Sequence, residues 1–122
     1  MPFAKVIISF LFFGWISSAV FAQTTTFTAT TGNWSVPSNW NNGIPTSTTA
    51  AIISVGSTCS VDIASAQCAS LTLNGGNGET RLSIGTGGSL SVSGSTIVNP
   101  PTNGSRTNGI FITGTGSFTC QV

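Results

Sequence analysis

From Ala51 onward the chain is written in short alternations of apolar and polar residues. Ile53-Ser54-Val55, Val61-Asp62-Ile63, Leu71-Thr72-Leu73, Leu82-Ser83-Ile84, Leu90-Ser91-Val92, Ile110-Phe111-Ile112 and Phe118-Thr119-Cys120 each set two apolar side chains on one face. Period two is the strand signature, because successive side chains of an extended chain point to opposite faces. Gly, Asn and Ser fill the gaps, as at residues 74–78, 85–88 and 114–116. No stretch after Ala22 repeats its apolar positions at 3.6 residues, so helix is expected to be nearly absent.

An internal repeat sharpens the picture. Leu82-Ser83-Ile84 and Gly88-Ser89-Leu90-Ser91-Val92 align with Ile110-Phe111-Ile112 and Gly116-Ser117-Phe118-Thr119-Cys120 at a constant offset, without a gap. Every apolar position maps onto an apolar one. Residues 99–106, with Pro100 and Pro101, then read as a loop projecting between repeats, since proline is excluded from interior strands. The strand units are very short and few of their junctions are short enough for two-residue hairpins. The expected architecture is therefore all-β: the start of a right-handed parallel β-helix, a solenoid whose coils bury their apolar faces on one another. An antiparallel β-sandwich is the runner-up.

The first half prepares that stack. Residues 24–31 are rich in threonine and favour a strand, with Phe27 and Ala29 expected on one side. Gly32-Asn33-Trp34, Asn39-Trp40 and Gly43-Ile44-Pro45 follow, in a segment broken by Pro37, Pro45 and the Asn-Gly pair at 42–43. Two tryptophans framed this way read as an aromatic cap over the first coil. The division expected is residues 1–22 a signal peptide, 23–50 an N-terminal strand with the Trp/Gly/Pro cap loop, and 51–122 β-helix coils. The pattern stops in mid-coil at Gln121-Val122 with no polar terminal cap, so the chain is expected to be part of a longer one.

The signal-peptide reading rests on Lys5, the apolar run after it, and the small residues of Val20-Phe21-Ala22, with cleavage after Ala22. Ser9, Gly14, Ser17 and Ser18 interrupt that run, and no basic cluster follows, so a membrane anchor is the weaker reading. Charged residues make up only 4% of the sequence. After Ala22 they are Asp62, Glu79, Arg81 and Arg106, which cancel. Two arginines are too few to neutralise a polyanion, which sets aside nucleic acid and anionic membrane surfaces as partners. Export is the expected localisation, secreted or at the cell surface.

The residues quoted from Gly32 to Pro45, followed by Ala51-Ile52-Ile53-Ser54-Val55-Gly56, Val61-Asp62-Ile63 and Ala69-Ser70-Leu71-Thr72-Leu73, resemble the start of secreted bacterial surface proteins. These are adhesin-like β-helix proteins of the Bacteroidetes type. The layout is also similar to the G8 domain, a glycine-rich β-strand module of extracellular proteins. The resemblance covers about residues 24–98. It implies export and adhesion and transfers no catalytic residue. Where that family usually carries acidic residues after the proline, this chain has Thr46-Ser47-Thr48-Thr49, so a calcium role that such acids would have in relatives is not implied here.

Candidate chemistry is sparse. After Ala22 there is no His, Tyr or Lys. Asp62 and Glu79 are the only carboxylates, and read as an outward strand residue and a turn residue, both solvated. General acid–base work needs positioned titratable groups, and a serine hydroxyl without a base is inert. No enzyme activity, cofactor or metal site is expected. Trp34 and Trp40 carry two readings, the cap and a sugar-stacking platform. The cysteines are three, Cys59, Cys68 and Cys120. In an exported chain Cys59 and Cys68 are the candidate disulfide pair, with zinc disfavoured by the lack of His and CxxC spacing. Cys120 maps onto Val92 in the repeat and reads as a small buried residue. Two function classes remain: a non-catalytic surface scaffold of adhesin type contacting an extracellular glycan or protein, and a carbohydrate-binding accessory module of an extracellular enzyme.

Overall fold

The fold is known from a computed structural model that describes residues 23–121, so the expected signal peptide, residues 1–22, lies outside the described residues. Eleven strands follow one another: β1 Gln23–Phe27, β2 Thr31–Asn33, β3 Thr49–Ile53, β4 Thr58–Val61, β5 Ala66–Cys68, β6 Ser70–Leu73, β7 Arg81–Ile84, β8 Ser89–Val92, β9 Thr96–Val98, β10 Gly109–Ile112 and β11 Ser117–Cys120. They pair only in parallel, in three sheets: β1-β3-β6-β9, β2-β4-β7-β10 and β5-β8-β11. We call these sheets A, B and C. The chain visits A, B and C in turn, then returns to A one layer on. This is a parallel β-solenoid of four coils, and the parallel pairing excludes the antiparallel sandwich.

The sequence repeat is the stacking register itself. Ile110 lies beside Leu82 and Ile112 beside Ile84, while Phe118 lies beside Leu90 and Cys120 beside Val92. Between coils the inward positions stack as Thr25-Ala51-Leu71 and Phe27-Ile53-Leu73 in sheet A, Cys59-Leu82 and Val61-Ile84 in sheet B, and Ala66-Leu90 and Cys68-Val92 in sheet C. All of these are buried. Each strand buries one face on the axis of the solenoid, which is why only alternate positions need be apolar.

Strand boundaries differ from the alternation at the corners. β3 ends at Ile53, so Val55 is not a core residue and stands exposed, lying against Gly76. The reason is the turn at Gly56, whose φ of 78° only glycine adopts without strain. β4 likewise ends at Val61, which puts Asp62 on a corner instead of inside a strand. The expected strand over residues 24–31 is two strands, with Thr25 and Phe27 inward and not Phe27 and Ala29 alone. Thr25 is fully buried because its hydroxyl donates to the Gly43 carbonyl at 2.7 Å and accepts from the Asn42 N–H at 3.2 Å.

A buried polar corner joins sheets A and B. The Thr80 hydroxyl donates to the Asn74 carbonyl at 2.8 Å and accepts from the Gly56 N–H at 3.2 Å. Asn108 accepts from the Thr80 N–H at 2.8 Å and donates to the Asn99 carbonyl at 2.9 Å. Backbone groups freed at the turn are thus satisfied by side chains of the next coil. The proline loop is tied down at its base, where the Thr102 N–H donates to the Gly76 carbonyl at 2.9 Å, while Gly104, Ser105 and Arg106 beyond it are exposed.

Helix among the described residues is a single 3-10 turn at Pro37–Asn39. No described helix is long and apolar enough to cross a membrane.

Candidate functional site

The tryptophan loop, residues 34–48, occupies the place in the first coil where a sheet C strand would follow β2. Trp34 is fully buried and Trp40 nearly so. Their rings meet edge to face at 4.9 Å between centroids, and Trp40 meets Phe27 in the same way at 5.2 Å. Trp40 Nε1 donates to the Trp34 carbonyl at 2.9 Å. This corrects the sugar-platform reading of Trp34 and Trp40: neither presents a face to solvent, because Trp40 packs edge to face on both Phe27 and Trp34 and all three rings belong to the buried core.

The disulfide expected between Cys59 and Cys68 is not formed, and both thiols are free. Cys59 belongs to sheet B, beside Leu82, and Cys68 to sheet C, beside Val92. Each fills an ordinary core position from a different wall of the solenoid. Burial drives both thiols toward the neutral form. It pushes Cys68 up to about 12, and it raises Cys59 further, with the nearby Asp62 charge adding to the effect. Both are therefore poor nucleophiles. Cys120 was expected to be buried and is exposed, although its register with Val92 is the expected one.

The two carboxylates are engaged in holding structure. Asp62 accepts from the Ser35 N–H at 3.0 Å and from the Ser35 hydroxyl, fastening the tryptophan loop to the second coil. Glu79 pairs with Arg81 at 3.2 Å and accepts from the Thr107 N–H at 3.3 Å, fastening the third coil to the fourth. Asp62 follows the end of β4, whereas Glu79 precedes β7. They stand at opposite ends of sheet B, so they cannot flank one bond as a glycosidase pair must. Among the described residues no three His, Cys, Asp or Glu side chains converge as metal ligands would.

What remains is a surface that the alternation hid. The outward face of sheet B carries a groove of about 330 Å³ lined by Thr58, Ser60, Arg81, Ser83, Phe111 and Thr113. Arg81 opens β7, and its register partner on β10 is Gly109, which has no side chain. The Phe111 ring leans into that space, and the Arg81 guanidinium lies 4.0 Å from the ring centroid. Cation–π contact and the Glu79 pair hold the cation in place. Ser60 and Ser83 stand side by side in register across β4 and β7. The groove offers a row of hydroxyls that donate and accept, one guanidinium edge and one aromatic ring. The signal for it was Phe111, a large aromatic at the middle, outward position of Ile-Phe-Ile, where the other units carry mostly polar residues.

No family model, curated protein or solved structure matches this chain.

Proposed function

We propose that this protein is a non-catalytic, exported surface scaffold of adhesin type, whose contact face is the outward groove of sheet B. The observation that carries the reading is the Arg81–Phe111 pair beside the Ser60–Ser83 row, built across stacked coils on a rigid wall. Solenoids commonly use such extended faces for binding. Hydroxyls beside an aromatic ring suit the alternating polar edges and apolar faces of a saccharide. The same groove favours a second reading, in which the chain is the carbohydrate-binding module of a longer extracellular enzyme. The resemblance of residues 24–98 to surface adhesins supports the first. The engagement of Asp62 by Ser35 and of Glu79 by Arg81 supports a role without catalysis.

A panel of extracellular glycans tests the proposal, read by calorimetry against the wild type, Phe111→Ala and Arg81→Gln. Binding by the wild type that both variants lose, with unchanged unfolding midpoints, is the expected result. Binding that neither variant alters, or no binding to any glycan or extracellular-matrix protein, overturns it. Glycan hydrolysis abolished by Asp62→Asn or Glu79→Gln overturns the non-catalytic part. Export is checked separately, by finding the chain in the medium with Gln23 at its N-terminus.

A further inference from the structure

Asparagine followed by glycine is chemically labile, because a glycine has no side chain to hold its amide nitrogen away from the asparagine Cγ. The chain holds five such pairs, at residues 42–43, 74–75, 77–78, 103–104 and 108–109. Closing the five-membered imide needs an amide nitrogen free to attack, a side chain free to turn, and backbone that can follow. The fold withholds at least one of these from four of the pairs.

At Asn108 both ends of the side-chain amide are held. Oδ1 accepts from the Thr80 N–H at 2.8 Å, and Nδ2 donates to the Asn99 carbonyl at 2.9 Å. The Gly109 N–H that would attack is itself bonded to the Thr80 carbonyl at 3.2 Å. Gly75 and Gly78 are pressed against the backbone of other turns. A Cβ on Gly75 would strike the Pro100 carbonyl oxygen, and one on Gly78 would come 2.8 Å from the Gly56 Cα. Neither can swing without moving a second segment, which restrains Asn74 and Asn77. Asn42 is tied into the cap loop: its side chain donates to the Thr24 carbonyl at 2.9 Å and its N–H to the Thr25 hydroxyl at 3.2 Å.

Asn103-Gly104 differs on each count. Gly104, Ser105 and Arg106 are exposed, and a Cβ at Gly104 would meet nothing within 4 Å. Among the described residues the Gly104 N–H donates to no backbone carbonyl. The Ser105 N–H donates to Asn103 Oδ1 at 3.0 Å. This bond folds the side chain back over its own main chain, as in an Asx turn, and turns Cγ toward the Gly104 nitrogen that lies between the bonded groups. It also aims a donor at the oxygen on which negative charge develops when that nitrogen attacks.

We propose that Asn103 is a self-modification site, converted to aspartate and isoaspartate without an enzyme. The Gly104 nitrogen gives up its proton and bonds to Asn103 Cγ. The Cγ–Nδ2 bond breaks, and Nδ2 takes up that proton and leaves as ammonia. Water then opens the imide, at one carbonyl to aspartate and at the other to isoaspartate. After Ala22 the charged side chains are Asp62, Glu79, Arg81 and Arg106. One conversion therefore takes their sum from zero to one negative charge, away from the neutrality that favours association. The site lies in the loop between β9 and β10, apart from the groove of sheet B, and does not rest on the glycan reading.

The whole chain, incubated folded in mildly alkaline buffer, tests this by charge separation and peptide mapping over time. A species one charge more negative is expected, with isoaspartate at residue 103 before any other site. The same chain unfolded in urea is expected to convert at all five pairs, because the selection comes from the fold. Asn103→Gln is expected to remove the first acidic species. Gly104→Ala is expected to delay it, since the added methyl hinders attack at a position where it touches nothing else. First conversion at Asn42, Asn74, Asn77 or Asn108 in the folded chain overturns the proposal. So do equal rates at the five pairs in the folded chain, or a folded chain that stays unmodified while the unfolded one is converted at residue 103.

Discussion

Trp40 Nε1 donates to the backbone carbonyl of Trp34 at 2.9 Å while the two rings pack edge to face, so one indole both fills and ties the capping loop. The other indole has no such bond. Trp34 Nε1 is buried without an acceptor. The two tryptophans are therefore alike in burial and unlike in what their polar edges contribute.

That difference predicts an asymmetry. Replacing either with Ala opens a large cavity and should cost about 3–5 kcal/mol. Trp40→Phe also orphans the buried Trp34 carbonyl, adding about 1–3 kcal/mol. Trp34→Phe removes an N–H that has no partner, so it should be the milder of the two. Chemical denaturation of both Phe variants checks the order. Equal losses would mean that the Trp40 bond contributes nothing.

The coil stack was legible because the spacing between repeats equals the register between coils, so Leu82 and Ile110 announce their own adjacency. The cap was legible from its Gly and Pro frame. The groove was legible only in part. The alternation turns Phe111 outward between two isoleucines, but nothing local says that its ring crosses Gly109 to meet Arg81 of the neighbouring coil. Asp62 could not be assigned a partner either, since Ser35 lies in another coil. The exposure of Cys120 is a property of the layer and not of its own alternation, which is correct. Alternation reports which face a residue takes, and burial depends on whether another coil covers that face.

Leu90 and Phe118 occupy the same row one coil apart, which separates facing from burial. Leu90 is fully buried and Phe118 only partly. Leu90→Ala should therefore cost about 2–5 kcal/mol. Phe118→Ala should cost less, although it removes the larger side chain. If the two losses rank the other way, the fourth coil is better covered than the structure shows.

Gly88 and Gly104 make a paired test of backbone approach. A Cβ at Gly88 would clash with the Val61 carbonyl oxygen of the coil beneath, whereas one at Gly104 would meet nothing within 4 Å. Backbone cannot move aside as a flexible side chain can, so Gly88→Ala should be strongly destabilising. Gly104→Ala should be within about 0.5 kcal/mol of the wild type, as surface substitutions usually are. Thermal unfolding of the two variants side by side decides the matter.

The buried thiols predict how stability responds to alkali. Cys68 is raised by burial from 9.0 to about 12, and Cys59 is raised further by burial and by Asp62. In the unfolded chain both ionise near their ordinary value, so above that value the unfolded state holds fewer protons than the folded one. Stability is then fully present below about pH 9 and falls as pH rises toward about 12. Each thiol contributes a slope of about 1.4 kcal/mol per pH unit in that window. Cys59→Ala and Cys68→Ala should each flatten the curve by one such step while lowering stability at neutral pH. Thiol counting gives the independent check. The folded chain should react at Cys120 alone, and the denatured chain at all three cysteines. A denatured count of one would show that Cys59 and Cys68 are bridged after all, and the alkaline slope would then be absent.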